Sequence, residues 1–291
     1  MMGNGHLTYP ANGAKETPRA MSSSLPPRDW AEIDWAGVDA AAAARWIAVL
    51  PLAATEQHGP HLPLETDVMI GEAYLARVRE LLPDTVPATF LPIQRIGIST
   101  EHIDFKGTLT LSTEAALKAW MALGESVARR GVKKLVMVTS HGGNAAAMTL
   151  VAQDLRAYQG MLAVTTSWSR FGVPEGIFPE EELRHGIHGG AVETSIMLAK
   201  YREHVRVDAI ADFRPNSIAM EKKYRWLSTQ RPAPFAWQTQ DLNASGAVGN
   251  ATLATKQKGE LLLDHGARRF IELLDDVDKF DVKAFSKAAA R

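Results

Sequence analysis

Glu56, His58, Asp67, His141 and Glu193 are the side chains whose types and spacing suit the holding of metal ions. Glu56 and His58 stand two apart in Thr55-Glu56-Gln57-His58. In extended backbone such residues point the same way, so a carboxylate and an imidazole can face one ion or two adjacent ions. Asp67 begins a helical pattern, where Thr66 is placed to cap and the helix dipole favours a carboxylate. Taken alone, Asp67 reads equally well as a helix N-terminal acid. His141-Gly142-Gly143-Asn144 falls between an apolar run and a helix, so its glycines permit a tight turn and Asn144 is placed to cap. A Gly-rich turn there could instead cradle phosphate, but it has neither the lysine nor the spacing of a Walker loop, and a histidine at a strand end suits a metal better. His188 and Glu193 are five residues apart, about 140° around an ideal helix, and cannot share a helical face. His188 is therefore expected in the loop before the helix, free to act on substrate, with Glu193 projecting from the first turn.

These residues must be held by rigid elements. Apolar runs alternate with helical patterns: strands at 46–50, 88–93, 134–139 and 162–167, and helices at 67–82, 113–130, 145–158 and 260–274. That alternation predicts an α/β fold, a single-domain three-layer α/β/α sandwich whose mostly parallel sheet is covered on both faces. Such sheets carry their sites beyond the carboxyl ends of the strands, which is where the Glu56-Gln57-His58 and His141 segments fall. Six of the nine histidines (His58, His61, His102, His141, His185, His188) occupy Gly- or Pro-punctuated stretches between the expected elements, the usual place for ligands positioned by a scaffold. Residues 1–28 mix Gly, Asn, Pro and Ser without periodicity and read as a flexible tail ahead of one domain at 29–291. The stretch 211–251 is irregular.

Composition narrows the function. A formal net charge of -1 provides no positive field for phosphate backbones or anionic lipid. With no cysteine in the chain, thiolate chemistry and sulfur-ligated metal are excluded and any metal must be held by N and O. No apolar run reaches the roughly 18 residues that span a bilayer, and the N-terminus lacks a secretory core. The expectation is a cytoplasmic protein with neither nucleic acid nor membrane as partner.

Four ordered motifs then carry a resemblance: E-Q-H-G-x-H-L-P-x-x-T-D ending at Asp67, G-I-S-x-E-H-x-x-F-x-G-T-L-T-L from Gly97 to Leu111, H-G-G-N from His141, and H-G-G-x-x-E-T-S from His188. Together they resemble the creatininase (creatinine amidohydrolase) family over about residues 45–275. The resemblance implies an amidohydrolase with two divalent ions (zinc, manganese or iron), in which Asp67 bridges, Glu56 and His141 complete one site and His58 the other. It implies His188 as the catalytic proton shuttle, a homo-oligomer of the hexameric kind, and hydrolysis of a C–N bond in a small cyclic amide, formamide or related compound. A family member cutting a short peptide or a sugar-derived ring, and a binder without catalysis, are the competing readings. Two departures stand out. Creatininases proper have a metal-binding glutamate where this chain has Gly143, so Glu193 is the expected replacement and open space is expected beside the second ion. Trp168 matches one tryptophan of the family's aromatic substrate clamp, whereas the other position reads Arg184. Trp168, Arg184 and His102 are the substrate-binding candidates, and creatinine itself is not the expected substrate.

Overall fold

The computed structural model describes residues 25–34 and 43–288. Four parallel strands form its central sheet in the order β2-β1-β3-β4: β1 (Ile47–Leu52), β2 (Ala88–Phe90), β3 (Lys134–Thr139) and β4 (Leu162–Ser167). Every residue of β1 and β3 is buried, as strands covered on both faces must be. Their side chains alternate between two cores. Ile47, Val49, Val136 and Val138 enter one, beneath α1 (Thr66–Leu81), α5 (Ala191–Lys200) and the long α6 (Lys256–Lys279). Ala48, Leu50, Leu52, Leu135 and Met137 enter the other, beneath α2 (Thr113–Arg129) and α3 (Ala145–Gln159). The result is the three-layer α/β/α arrangement that the alternation predicted.

Strand register is what matters for the site. Leu52 pairs with Thr139, and Thr139 with Ser167, so the three strands end level and their outgoing loops start side by side. Ser140 fastens the junction by donating to the carbonyl of Asp67 at 2.7 Å, which ties the end of β3 to the first turn of α1.

Three local expectations are corrected. Thr66 does not cap α1; its hydroxyl donates back to Pro63 O, and Glu65 takes the N-cap position without a side-chain bond. Asn144 does not cap α3 either. It is fully buried, its Oδ1 accepting from Ile98 N at 3.0 Å and its Nδ2 donating to Ala53 O and Thr139 Oγ1, so one amide laces the loops after β1, β2 and β3 together. The tail boundary also moves: residues 1–24 lie outside the described residues, but Arg28 is anchored. Its carbonyl accepts from Phe90 N at 2.8 Å and its guanidinium donates to Val86 O, Ala88 O and Pro83 O.

Because those carbonyls exchange a charged donor for water when it is removed, Arg28→Ala should lower stability by about 1–2 kcal/mol. A thermal melt indistinguishable from the parent protein would return residue 28 to the tail.

Candidate metal centre

The loop after β1 folds back on itself, with Glu56 N donating to Leu64 O, which turns Glu56, His58 and the start of α1 inward together. Asp67, in the first turn of α1, ends up between two imidazoles. Its Oδ1 lies 3.6 Å from His58 Nε2 and its Oδ2 lies 3.5 Å from His141 Nδ1. Glu56 Oε1 approaches the same His141 nitrogen at 3.2 Å, and Glu193 Oε2 reaches 3.8 Å from His58 Nε2. Glu56, His58, Asp67 and His141 are each no more than 4% exposed.

Each imidazole is oriented by a backbone carbonyl. His58 Nδ1 donates to Glu56 O at 3.0 Å, which leaves Nε2 facing Asp67. His141 Nε2 donates to Ile98 O at 2.7 Å, which leaves Nδ1 facing Glu56 and Asp67. His188 Nε2 donates to Gln57 O at 2.6 Å, with Nδ1 3.7 Å from Glu56 Oε1. A ring proton committed to a carbonyl fixes which nitrogen remains as a base or ligand.

The inward atoms approach one another without hydrogen-bonding. Glu56 Oε1 and Oε2, His58 Nε2 and Asp67 Oδ2 are buried and have no hydrogen-bond partner. Groups of this kind rarely persist in a folded interior, because a buried polar atom left unpaired costs on the order of 1–3 kcal/mol and a charged one more. Three groupings bring their ligand atoms within 4.8 Å of one another: Glu56, His58 and Asp67; His58, His188 and Glu193; Glu56, His102 and His188. This carboxylate and imidazole set matches the hard and borderline donors that divalent ions take, and the cluster can hold metal.

Electrostatics point the same way. Burial alone would push the His58 and His141 rings down, but the facing carboxylates outweigh it and raise them to about 9 and about 10. Burial would also raise Glu56, yet His141 and His102 draw it well below the ordinary carboxylate range. Glu193 is pushed up to about 7 by burial, with His58 opposing. His188, between the tilted rings of His58 and His102 with centroids at 4.1 and 4.2 Å, is pushed down by burial and by those two rings.

Of the six loop histidines, four converge here. His102 is buried, its Nε2 3.1 Å from Glu56 Oε1 and its Nδ1 bonded to Gln57 Nε2 and Thr239 Oγ1. His61 lies apart, bonded to Thr194 Oγ1. His185 closes the short helix α4 (Glu180–His185) and bonds Ser217 and Glu221. As expected, His188 precedes α5, paired with Val248, while Glu193 sits in the first turn of α5. Glu193 combines two arrangements, for its Oε2 also accepts from Gly189 N at 2.6 Å.

Two of the three substrate-binding candidates are engaged elsewhere. Trp168 is a core residue, 5% exposed, stacked on Tyr74 at 4.4 Å and packed on Phe270. Arg184 lies at the surface, with its side chain 61% exposed and ion-paired with Glu221. Nor does Gly143 open space: a Cβ there would strike His141 Nε2 and Ile98 O and come within 2.7 Å of Glu101 Oε1. The glycine is required by the hydrogen bond that orients His141. Sequence reasoning missed Gln57, Glu101 and Thr239. Gln57 donates to Gly246 O as well as to His102, and Glu101 Oε1 lies 3.6 Å from His141 Nε2.

Comparison with known proteins agrees with this geometry. The creatininase profile, described as creatinine amidohydrolase, matches residues 31–274. A mycofactocin precursor peptide peptidase of Mycobacterium ulcerans (strain Agy99) is 32% identical over 237 residues, which is 79% of this chain and 83% of that protein. A creatinine amidohydrolase of Pseudomonas putida is 28% identical over 251 residues, 80% of this chain and 90% of the relative. Among solved structures, a glutamate-to-glutamine variant creatininase of the Zn-Zn type superposes with a TM-score of 0.68 at 25% identity, covering 89% of this chain and 100% of that one.

The raised imidazoles set the pH response of the metal-free protein. Groups whose folded value lies above the ordinary 6.5 contribute stability that is complete below pH 6.5 and is lost as pH rises through about 9 to 10. Chelator-treated protein should therefore melt progressively lower from pH 6.5 to 10, by a few kcal/mol in all. Metal-loaded protein should show a flatter profile, and equal profiles for the two forms would count against the cluster as the metal-binding element.

Proposed function

Because this chain belongs to the creatininase (creatinine amidohydrolase) family, we propose that it hydrolyses an amide C–N bond at a centre of two divalent ions. Glu56, Asp67 and His141 would hold one ion, and His58, Asp67 and Glu193 the other, with Asp67 bridging. The observation that carries this reading is the set of buried, unpartnered atoms on either side of the Asp67 carboxylate. Zinc, manganese or iron in such a pair would supply Lewis acidity toward the scissile carbonyl and the attacking water.

The chain's own groups do the rest. His188 keeps a proton on Nε2 for Gln57 O and presents Nδ1 toward the cluster. A ring pushed down by burial is neutral at physiological pH, so Nδ1 can take a proton from the attacking water and return it to the departing nitrogen. Gln57 holds the backbone of this segment by bonding Gly246 O and accepting from Gly59 N. His102 Nε2 faces the same Glu56 oxygen, at 3.1 Å.

Within amide hydrolysis, a short peptide suits this site better than a small planar ring. The two positions that would have sandwiched a ring are engaged elsewhere, Trp168 between Tyr74 and Phe270 and Arg184 with Glu221. The relative at 32% identity, named as a peptide peptidase, supports the same choice. Cyclic amides and formamides form the alternative class.

Two measurements test this reading. Protein reconstituted with zinc, manganese or iron should carry about two ions per chain by elemental analysis, chelation should abolish turnover, and Glu193→Gln should lose one ion while retaining the other. In a panel of short peptides, formamides, lactams and creatinine, peptides should lead. A creatinine specificity constant of roughly 10⁴ M⁻¹s⁻¹ or more would restore the small-ring reading.

A further inference from the structure

Glu182 belongs to an acidic run, Glu180-Glu181-Glu182, that reads as a solvated helix face. Its two neighbours are exposed, but Glu182 is only 6% exposed and points into the protein. One carboxylate oxygen accepts from Ala191 N at 2.7 Å and the other from Asn250 N at 2.8 Å. Those two amides belong to the segments that carry the upper half of the proposed active site. Ala191 opens α5, two residues before Glu193. Asn250 lies two residues beyond Val248, which exchanges backbone hydrogen bonds with His188: Val248 N donates to His188 O at 2.6 Å and His188 N returns to Val248 O at 3.2 Å. The helix bearing Glu182 is itself joined to the His188 loop, since Gly186 N donates to Glu182 O at 2.7 Å.

The surroundings are shaped to this carboxylate. A Cβ at Gly190 would come within 2.6 Å of Glu182 Oε1, one at Gly249 within 2.9 Å, and one at Gly186 closer still. Gly249 also carries a φ of 149°, a backbone conformation that side-chain-bearing residues avoid. Three backbone segments thus close around one anion at distances that a side chain on any of them would prevent.

We propose that Glu182 is a positioning residue of this site: its buried carboxylate clamps the 248–250 segment, which is hydrogen-bonded to His188, to the N-terminus of α5 and so fixes His188 and Glu193 against Glu56, His58 and Asp67. The proposal rests on the two-ion reading above. Both carboxylate oxygens accept N–H groups, and an amide of the same shape can accept only one of them, because its NH2 group meets the second donor as donor against donor. Glu182→Gln therefore opens one side of the clamp while preserving volume.

The test compares parent protein, Glu182→Gln and Glu182→Ala by amide hydrogen exchange, zinc competition with a chelator, and turnover of the best peptide from the panel. For Glu182→Gln the expected result is at least tenfold faster exchange at Ala191 or Asn250 and at least tenfold weaker binding of one zinc, with the other within about twofold. The same variant should show a kcat down roughly tenfold at a KM within about threefold. Glu182→Ala should show the same pattern more strongly; should it fail to fold, Glu182→Gln decides alone. Unchanged exchange overturns the clamp. Faster exchange with parental zinc affinities and kcat overturns the positioning role, and so does equal weakening of both zinc sites, which marks a general structural effect. If the parent protein takes up no zinc, the functional reading falls, and the exchange measurement still decides whether Glu182 holds the segment.

Discussion

Two carboxylates and two imidazoles, nearly removed from water and facing one another without hydrogen bonds, set the terms for the rest of this structure. Glu56 and Asp67 are at most 1% exposed. In such surroundings an ionised carboxylate needs cationic compensation, since its desolvation costs several kcal/mol even after relaxation. In the absence of metal, compensation comes from protonated His58 and His141, which is why both rings are raised despite burial. Protons and divalent ions therefore compete for the same nitrogens, and metal uptake must release protons. A cluster this costly persists only where the scaffold leaves it no way to relax.

The scaffold meets that condition through register. Because Leu52, Thr139 and Ser167 lie level across three parallel strands, the loops that follow leave the sheet as neighbours. Asn144 then laces them with one buried amide, and Ser140 ties in the start of α1. The same loops supply the carbonyls of Glu56, Gln57 and Ile98 that orient His58, His188 and His141. Orientation thus comes from main chain and needs few outer side chains. It also explains why Gly143 admits no larger residue, since the backbone that supplies the Ile98 acceptor lies against it.

This division explains what was legible in the sequence. Buried parallel strands announce themselves as apolar runs, so β3 was readable to the residue and β1 within two; β4, a half-buried edge strand, was also readable to the residue. Glu56, His58, Asp67, His141 and His188 were readable because short-range spacing and strand ends constrain where such side chains point. Thr66 and Asn144 were misread as caps because capping is only one of several bonds open to such side chains: Thr66 takes another local acceptor, Pro63 O three residues back, and Asn144 a tertiary donor, Ile98 N. Trp168 and Arg184 make contacts that the sequence did not show, for a related reason. A motif position shows where a residue lies along the chain, whereas Tyr74, Phe270 and Glu221, all distant in sequence, decide what its side chain touches. Thr239 lies in the irregular stretch after Ala211 and carries no periodic signal, and Glu182 was hidden within an acidic run.

The site is consequently built from two parts of different origin in the chain. Glu56, His58, Asp67 and His141 issue from the sheet and from α1, elements that share its cores. His188 and Glu193 come from the 186–193 segment, whose neighbour across the hydrogen bonds is the irregular stretch ending near Asn250. The first group fixes where ions and water-derived nucleophile would sit, a requirement common to any amide. In the proposed reading the second group would supply the remaining metal ligand, Glu193, and the proton shuttle, His188, that meets the departing nitrogen. With Trp168 packed in the core and Arg184 paired at the surface, the aromatic sandwich that the resemblance implied is not assembled from these two residues, so in the proposed reading the substrate side of the site is shaped by other parts of the chain.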